Sequence, residues 1–162
     1  MRERANVFGE AAETYDRHRP GYPDALFDEV VVYGGLQRGD RALELGIGTG
    51  LATPGFTNRG LTVHGIEHDE AMAAVARAKG IDVETIRFED LNPTGEYALV
   101  YAAQAWHWLD PAVSYDRAAD ALAPGGSIAL FWNRPEEFTG PLGADINAVY
   151  QQLAPELVDG ST

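Results

Sequence analysis

The sequence predicts an α/β protein: a doubly wound, Rossmann-like, mostly parallel sheet of about five strands with helices on both faces. Three observations carry that prediction. Short apolar runs alternate with segments of helical periodicity along most of the chain. The run Ala42-Leu43-Glu44-Leu45 passes directly into three glycines at alternate positions, Gly46, Gly48 and Gly50. The next two apolar runs also end in acids, at Glu67 and at Glu89-Asp90. A length of 162 residues suits one domain with a real core.

The elements follow in order. Phe8 to Tyr15 reads as a helix, and Arg19-Pro20-Gly21-Tyr22-Pro23 breaks it. Pro23 suits the first turn of a second helix, with Leu26, Phe27, Val30 and Val31 on one face and Gly34-Gly35 as its stop. Arg41 to Leu45 is the first strand. A helix is expected from Gly50 to Arg59, weakened early by Pro54 and Gly55 and stopped by Gly60. Leu61 to Glu67 is the second strand. Asp69 caps a helix through Ala71, Met72, Val75 and Ala78, which Gly80 ends. Ile81 to Phe88 and Tyr97 to Ala103 are the third and fourth strands. Asp110-Pro111 opens a helix closing near Leu122. Pro124-Gly125-Gly126 reads as a turn, Ser127 to Trp132 as the fifth strand, and Leu142 to Leu153 as a last helix. The whole is expected to be one domain: a helical cap over about 1–35, a core over about 40–133 and a C-terminal helix over 141–154.

Composition narrows the function. Twenty-five acids against 12 bases give a net charge of −13, a field that repels polyanions, so nucleic acid is not the expected partner. No apolar run reaches the length of a bilayer span, and the polar start Met1-Arg2-Glu3-Arg4 lacks the apolar stretch of a signal peptide. A cytoplasmic, non-membrane protein is therefore expected. With no cysteine, thiolate metal sites and cysteine nucleophiles are excluded. No cluster of His, Asp and Glu has metal-ligand spacing, so no metal is expected.

The strand ends hold the chemistry. In doubly wound sheets ligands bind beyond the carboxyl ends of the strands. Glycines there admit positive φ and let a ligand approach the backbone. Glu67, 21 residues after Gly46, is placed to accept hydrogen bonds from two ribose hydroxyls. Glu89, Asp90 and Leu91 suit an adenine amino group and ring, and His68 lies within reach of the ribose or adenine edge. A dinucleotide loop needs glycine or alanine at its sixth position. Counted from Gly46 that position is Leu51, and counted from Gly48 it is Thr53, so the match fails. Glu44 would repel a pyrophosphate but suits an ammonium beside a sulfonium, which points to S-adenosylmethionine.

At this point the chain resembles the class I S-adenosylmethionine-dependent methyltransferases. The resemblance rests on Leu43-Glu44-Leu45-Gly46-Ile47-Gly48-Thr49-Gly50, Gly65-Ile66-Glu67, Phe88-Glu89-Asp90-Leu91, Ala98 to Gln104, and Leu122-Ala123-Pro124-Gly125-Gly126-Ser127, in that order. Tyr15 to Pro23 and Ala103-Gln104-Ala105-Trp106-His107-Trp108-Leu109-Asp110-Pro111 are similar to the small-molecule branch of trans-aconitate-type enzymes. The resemblance implies Glu44, Gly46, Gly48 and Gly50 around the methionine part, Glu67 on the ribose, and Glu89, Asp90 and Leu91 at the adenine. It implies Tyr15 and Arg19 closing over the site and Gln104 completing the cofactor set. The implied product is S-adenosylhomocysteine, and the implied partner a small-molecule methyl acceptor.

Trp106 and Trp108 alternate, so one is expected in the core and one on a substrate pocket. His107 between them is a candidate general base. A hydrogen-bonded pocket histidine without proton transfer is the preferred reading, because a carboxylate nucleophile is already ionised. The resembling family has seven strands, against five here. The fifth would then be an exposed edge, expected either from truncation of a longer enzyme or from cover by a second subunit in a homodimer. A non-catalytic cofactor-binding module is the alternative function.

Overall fold

The computed structural model describes residues 12–134 and 140–153. The chain divides into two compact units, one running through Trp132 and one from Asn133 onward. Among the described residues the second contains one helix, α6 (Gly140–Leu153). Among the described residues the first contains five α-helices, α1 (Ala12–His18), α2 (Asp24–Tyr33), α3 (Thr53–Thr57), α4 (Glu70–Ala78) and α5 (Ser114–Ala121). Its five strands are β1 (Arg41–Leu45), β2 (Thr62–Glu67), β3 (Asp82–Thr85), β4 (Tyr97–Ala103) and β5 (Leu122–Phe131).

All strand pairs are parallel, in the order β3-β2-β1-β4-β5. The order reverses between β1 and β4, so their carboxyl ends flank the crevice where such sheets bind ligands. Alternation along β1 and β4 sorts side chains to two faces. Ala42, Leu99 and Tyr101 pack with Phe27 of α2 and Phe56 of α3 on one face. Leu43, Leu45, Val100 and Ala102 pack with Ala118 and Ala121 of α5 on the other. Both faces being covered explains why these strands read as near-continuous apolar runs.

Five elements differ from expectation. The first helix continues past Tyr15 to His18, with Arg19 N–H still donating to Tyr15 C=O (2.9 Å) before Pro20 ends it; residues 8–11 lie outside the described residues. The helix expected over Gly50–Arg59 shrinks to Thr53–Thr57, since Gly50 at φ +79° cannot be helical. The third strand stops at Thr85, and Phe88–Asp90 forms a 3₁₀ turn that buries Phe88. The helix after Asp110 begins only at Ser114; Asp110 instead receives Ala112 N–H on its carboxylate (2.9 Å), a local turn that competes with helix. Pro124-Gly125-Gly126 lies inside β5, as an irregularity where the β4 partner jumps from Leu122 to Ser127. Asp69 caps α4 as expected, accepting from Ala71 and Met72 N–H (2.9 and 3.1 Å). Among the described residues no helix is long and apolar enough to cross a membrane.

Candidate active site

The carboxyl ends of β1, β2 and β4 open into a cavity of about 300 Å³. Glu44 lies at its base, fully buried. Its register partner on β4 is Tyr101, on the same face. Tyr101 Oη donates to Glu44 Oε2 (2.6 Å), and Thr53 Oγ1 at the start of α3 donates to the same oxygen (2.6 Å). Burial pushes the Glu44 carboxyl up to about 7, against the pull of those two hydroxyls and with added repulsion from Glu67. Burial and the adjacent Glu44 carboxylate hold the Tyr101 phenol protonated well above its ordinary range. The network therefore presents a carboxyl with one oxygen fixed and the other, Oε1, left for a ligand.

The glycine loop wraps this carboxyl. Gly46 sits at φ +61°, and a Cβ there would approach Ala105 Cβ to 2.7 Å, so only glycine lets the segment after β4 fold down onto the loop. Gly46 and Gly48 line the cavity; Gly50 does not, and serves instead the close packing of the loop on Ile81 and Ala76. Glu67 is nearly buried and bridges two backbone donors, Gly48 N–H to Oε2 (2.9 Å) and Asp69 N–H to Oε1 (3.0 Å). His68 Nδ1 lies 3.1 Å from the same carboxylate. Glu89 also faces the cavity and accepts Asp110 N–H (3.1 Å). Burial alone would raise the Glu89 carboxyl, but backbone donors from Glu89 and Asp110 and the nearby Arg87 outweigh it and hold it low.

Asp90 and Leu91 do not reach the cavity. Three residues per turn in the 3₁₀ segment point neighbours in different directions, so Glu89 turns in, Asp90 turns to solvent, and Leu91 packs against the α5-side core. The same geometry separates the tryptophans. Trp106–Trp108 is a 3₁₀ turn, not the extended segment expected; Trp106 packs on Tyr115 (4.8 Å between centroids) while Trp108 and His107 line the cavity.

The cap contributes from the other side. Tyr15, Arg19 and Tyr22 line the cavity, with the Arg19 guanidinium over the Tyr15 ring at 5.4 Å. Burial, with Tyr15 and Glu44 nearby, pushes the Tyr22 phenol up to about 12 despite Arg19. Lys79 at the end of α4 fastens this cap: Nζ donates to Asp16 of α1 and to Thr49 C=O of the glycine loop (2.8 Å). Gln104, just after β4, lines the cavity at φ +62°, a left-handed backbone rarely tolerated outside glycine. Tyr22, Thr53, Tyr101 and Lys79 carried no signal in the sequence, since each depends on pairings across distant segments. Among the described residues no group of three or more His, Asp and Glu side chains forms a metal site.

A parallel sheet in this order, with an acid and a glycine loop at its switch point, defines the class of Rossmann-like folds that take a nucleoside-bearing cofactor beyond their strand ends. The family model described as methyltransferase domain matches residues 43–130, and the chain belongs to that family. It is 34% identical over 142 residues to an uncharacterized methyltransferase of Mycobacterium bovis, covering 86% of this chain and 57% of the relative. It is 31% identical over 132 residues to a trans-aconitate 2-methyltransferase of Mycobacterium tuberculosis, covering 80% of this chain and 50% of that one. A phosphoethanolamine N-methyltransferase of Haemonchus contortus, solved with S-adenosyl-L-methionine, superposes with a TM-score of 0.67 at 18% identity, over 92% of this chain and 40% of that one; the likeness is one of fold. The chain spans about half the length of the curated relatives it matches.

Proposed function

We propose that this chain binds S-adenosylmethionine and directs its methyl group onto a small molecule by direct in-line transfer. The observation that carries the reading is Glu44: a buried carboxyl with one oxygen held by two hydroxyls, at the base of a glycine-walled cavity. Its ionisation is opposed by burial and by Glu67, and a bound cation compensates both. An amino acid ammonium beside a sulfonium is such a cation. Glu67, across the loop, exchanges its backbone donors for ribose hydroxyls, and Glu89 with Ile86 and Phe88 accommodates the adenine. The donor set therefore fits the cofactor of the family.

The cofactor supplies an electrophilic methyl whose C–S electron pair leaves with sulfur as the acceptor lone pair bonds to carbon. The protein's part is alignment and exclusion of water. Tyr15, Arg19 and Tyr22 roof the cavity, while His107 and Trp108 wall the remaining volume. With Glu44, Glu67 and Glu89 assigned to the cofactor, this acceptor end keeps a guanidinium, two phenols and an imidazole. That set favours an anionic acceptor such as a small carboxylic acid, in keeping with the name of the trans-aconitate relative. Calorimetry with S-adenosylmethionine and S-adenosylhomocysteine, followed by a methyl-transfer screen over small carboxylic acids including trans-aconitate, tests it. Both ligands are expected to bind and an acid to be esterified. Binding without any transfer would favour a cofactor-binding module, and no binding would overturn the proposal.

A further inference from the structure

His107 has a partner that no sequence motif suggested. Trp132, the residue after β5, places its Nε1 3.2 Å from His107 Nδ1. The indole nitrogen is a donor only, whereas an imidazole nitrogen donates or accepts according to its proton. The bond therefore exists only while Nδ1 carries a lone pair. In a neutral ring the proton then sits on Nε2, and a second proton on Nδ1 would set two N–H groups against each other. The ring also contacts that of Trp108, tilted 43° to it at 4.6 Å between centroids.

We infer that Trp132 is a positioning residue, holding His107 as the neutral Nε2–H tautomer so that it offers the cavity a hydrogen-bond donor and does not act as a general base. A base needs a free lone pair facing the acceptor, and the only lone pair of this tautomer is engaged by the indole. The methyl acceptor must then present an oxygen or nitrogen acceptor atom to His107 and must reach it already nucleophilic. The clause about the acceptor rests on the methyl-transfer reading above; the tautomer does not.

The surroundings agree. From the cap, Tyr15, Arg19 and Tyr22 face the same cavity; from the strand ends, Glu44, Glu67 and Asp69 do, with His68. The 3₁₀ turn adds Arg87 and Glu89. None of these acids is hydrogen-bonded to the imidazole, and partial burial lowers its pKa from the ordinary 6.5.

Long-range ¹H–¹⁵N correlation spectra of the uniformly labelled chain test this, with the His107 resonances assigned by their loss in His107→Gln. The expected spectrum shows Nε2 protonated and Nδ1 bare, with a titration midpoint below 6.5. Trp132→Phe keeps the aromatic packing but removes the N–H; it is expected to mix the two tautomers and return the midpoint toward 6.5. A parent with a protonated Nδ1, a parent titrating near 6.5, or a Trp132→Phe spectrum identical to the parent would each overturn the inference. Calorimetry with S-adenosylmethionine on the same samples separates the two readings. A parent that binds the cofactor but shows the wrong tautomer sinks only the positioning role of Trp132. A parent that shows the right tautomer and binds no cofactor sinks only the methyl-transfer reading.

Discussion

Two residues at the site are held against their own preference. Gln104 keeps a left-handed backbone, φ +62°, while its N–H donates to Phe131 C=O (3.0 Å) and its side chain lines the cavity. Such strain costs on the order of 1 kcal/mol and persists where surrounding structure imposes it. Gln104→Gly is therefore expected to raise stability to urea by up to about 1 kcal/mol while weakening cofactor binding. A less stable glycine variant would show that no strain is stored there. Glu44 is the second case. Its folded carboxyl titrates near 7, above its ordinary 4.5. A raised carboxyl stabilises the free protein below about 4.5, and that contribution is lost as the pH rises through about 7. A cation binds only the ionised form, so affinity for S-adenosylmethionine should rise about tenfold per pH unit below 7 and level off above it. Calorimetry at pH 5.5, 6.5 and 8 reads that slope. Glu44→Gln should remove the slope, weaken binding, and leave the free protein more stable than the parent at pH 8.

At the scale of elements, the strands were legible where a single apolar run ends in glycine or an acid. β1, closed by Gly46, and β2, closed by Glu67, end where expected for that reason. What stayed hidden was set by local geometry or by pairing. One left-handed glycine shortened α3, and two 3₁₀ turns point Asp90 and Leu91 away from the cavity and decide that Trp106 packs on the core while Trp108 faces the cavity. The Glu44–Thr53–Tyr101 network depends on the β1–β4 register, which joins residues 57 apart in the chain and leaves no spacing to read. The fastening of α1 is of the same kind. Lys79, the sole lysine, joins Asp16 of α1 to the glycine loop through Thr49 C=O. The pair is partly exposed, so its worth to global stability is within about 1 kcal/mol. Its local effect should be larger. Lys79→Met is expected to speed amide exchange across Ala12–His18 with little change in the unfolding midpoint. Unchanged exchange there would mean that α1 is held by its apolar contacts alone.

The whole molecule sets the approach of ligands through its charge. With a net charge of −13, the average field attracts cations and repels anions. S-adenosylmethionine carries one positive charge overall, from its sulfonium, whereas S-adenosylhomocysteine is neutral overall, so the field distinguishes substrate cofactor from product. The cofactor end of the cavity repeats that preference at short range, with Glu44 at its base and Glu67 and Glu89 along its wall. The Debye length shrinks from about 30 Å at 0.01 M salt to about 8 Å at 0.15 M, so surface charges drop out of the sum and the buried Glu44 does not. The association rate for S-adenosylmethionine should therefore fall severalfold over that range, while that for S-adenosylhomocysteine stays nearly constant. Stopped-flow quenching of tryptophan fluorescence in the two ligand series measures the difference. Equal salt dependence for both ligands would show that the net charge of the chain does not steer the cofactor, leaving selection to contacts made inside the cavity.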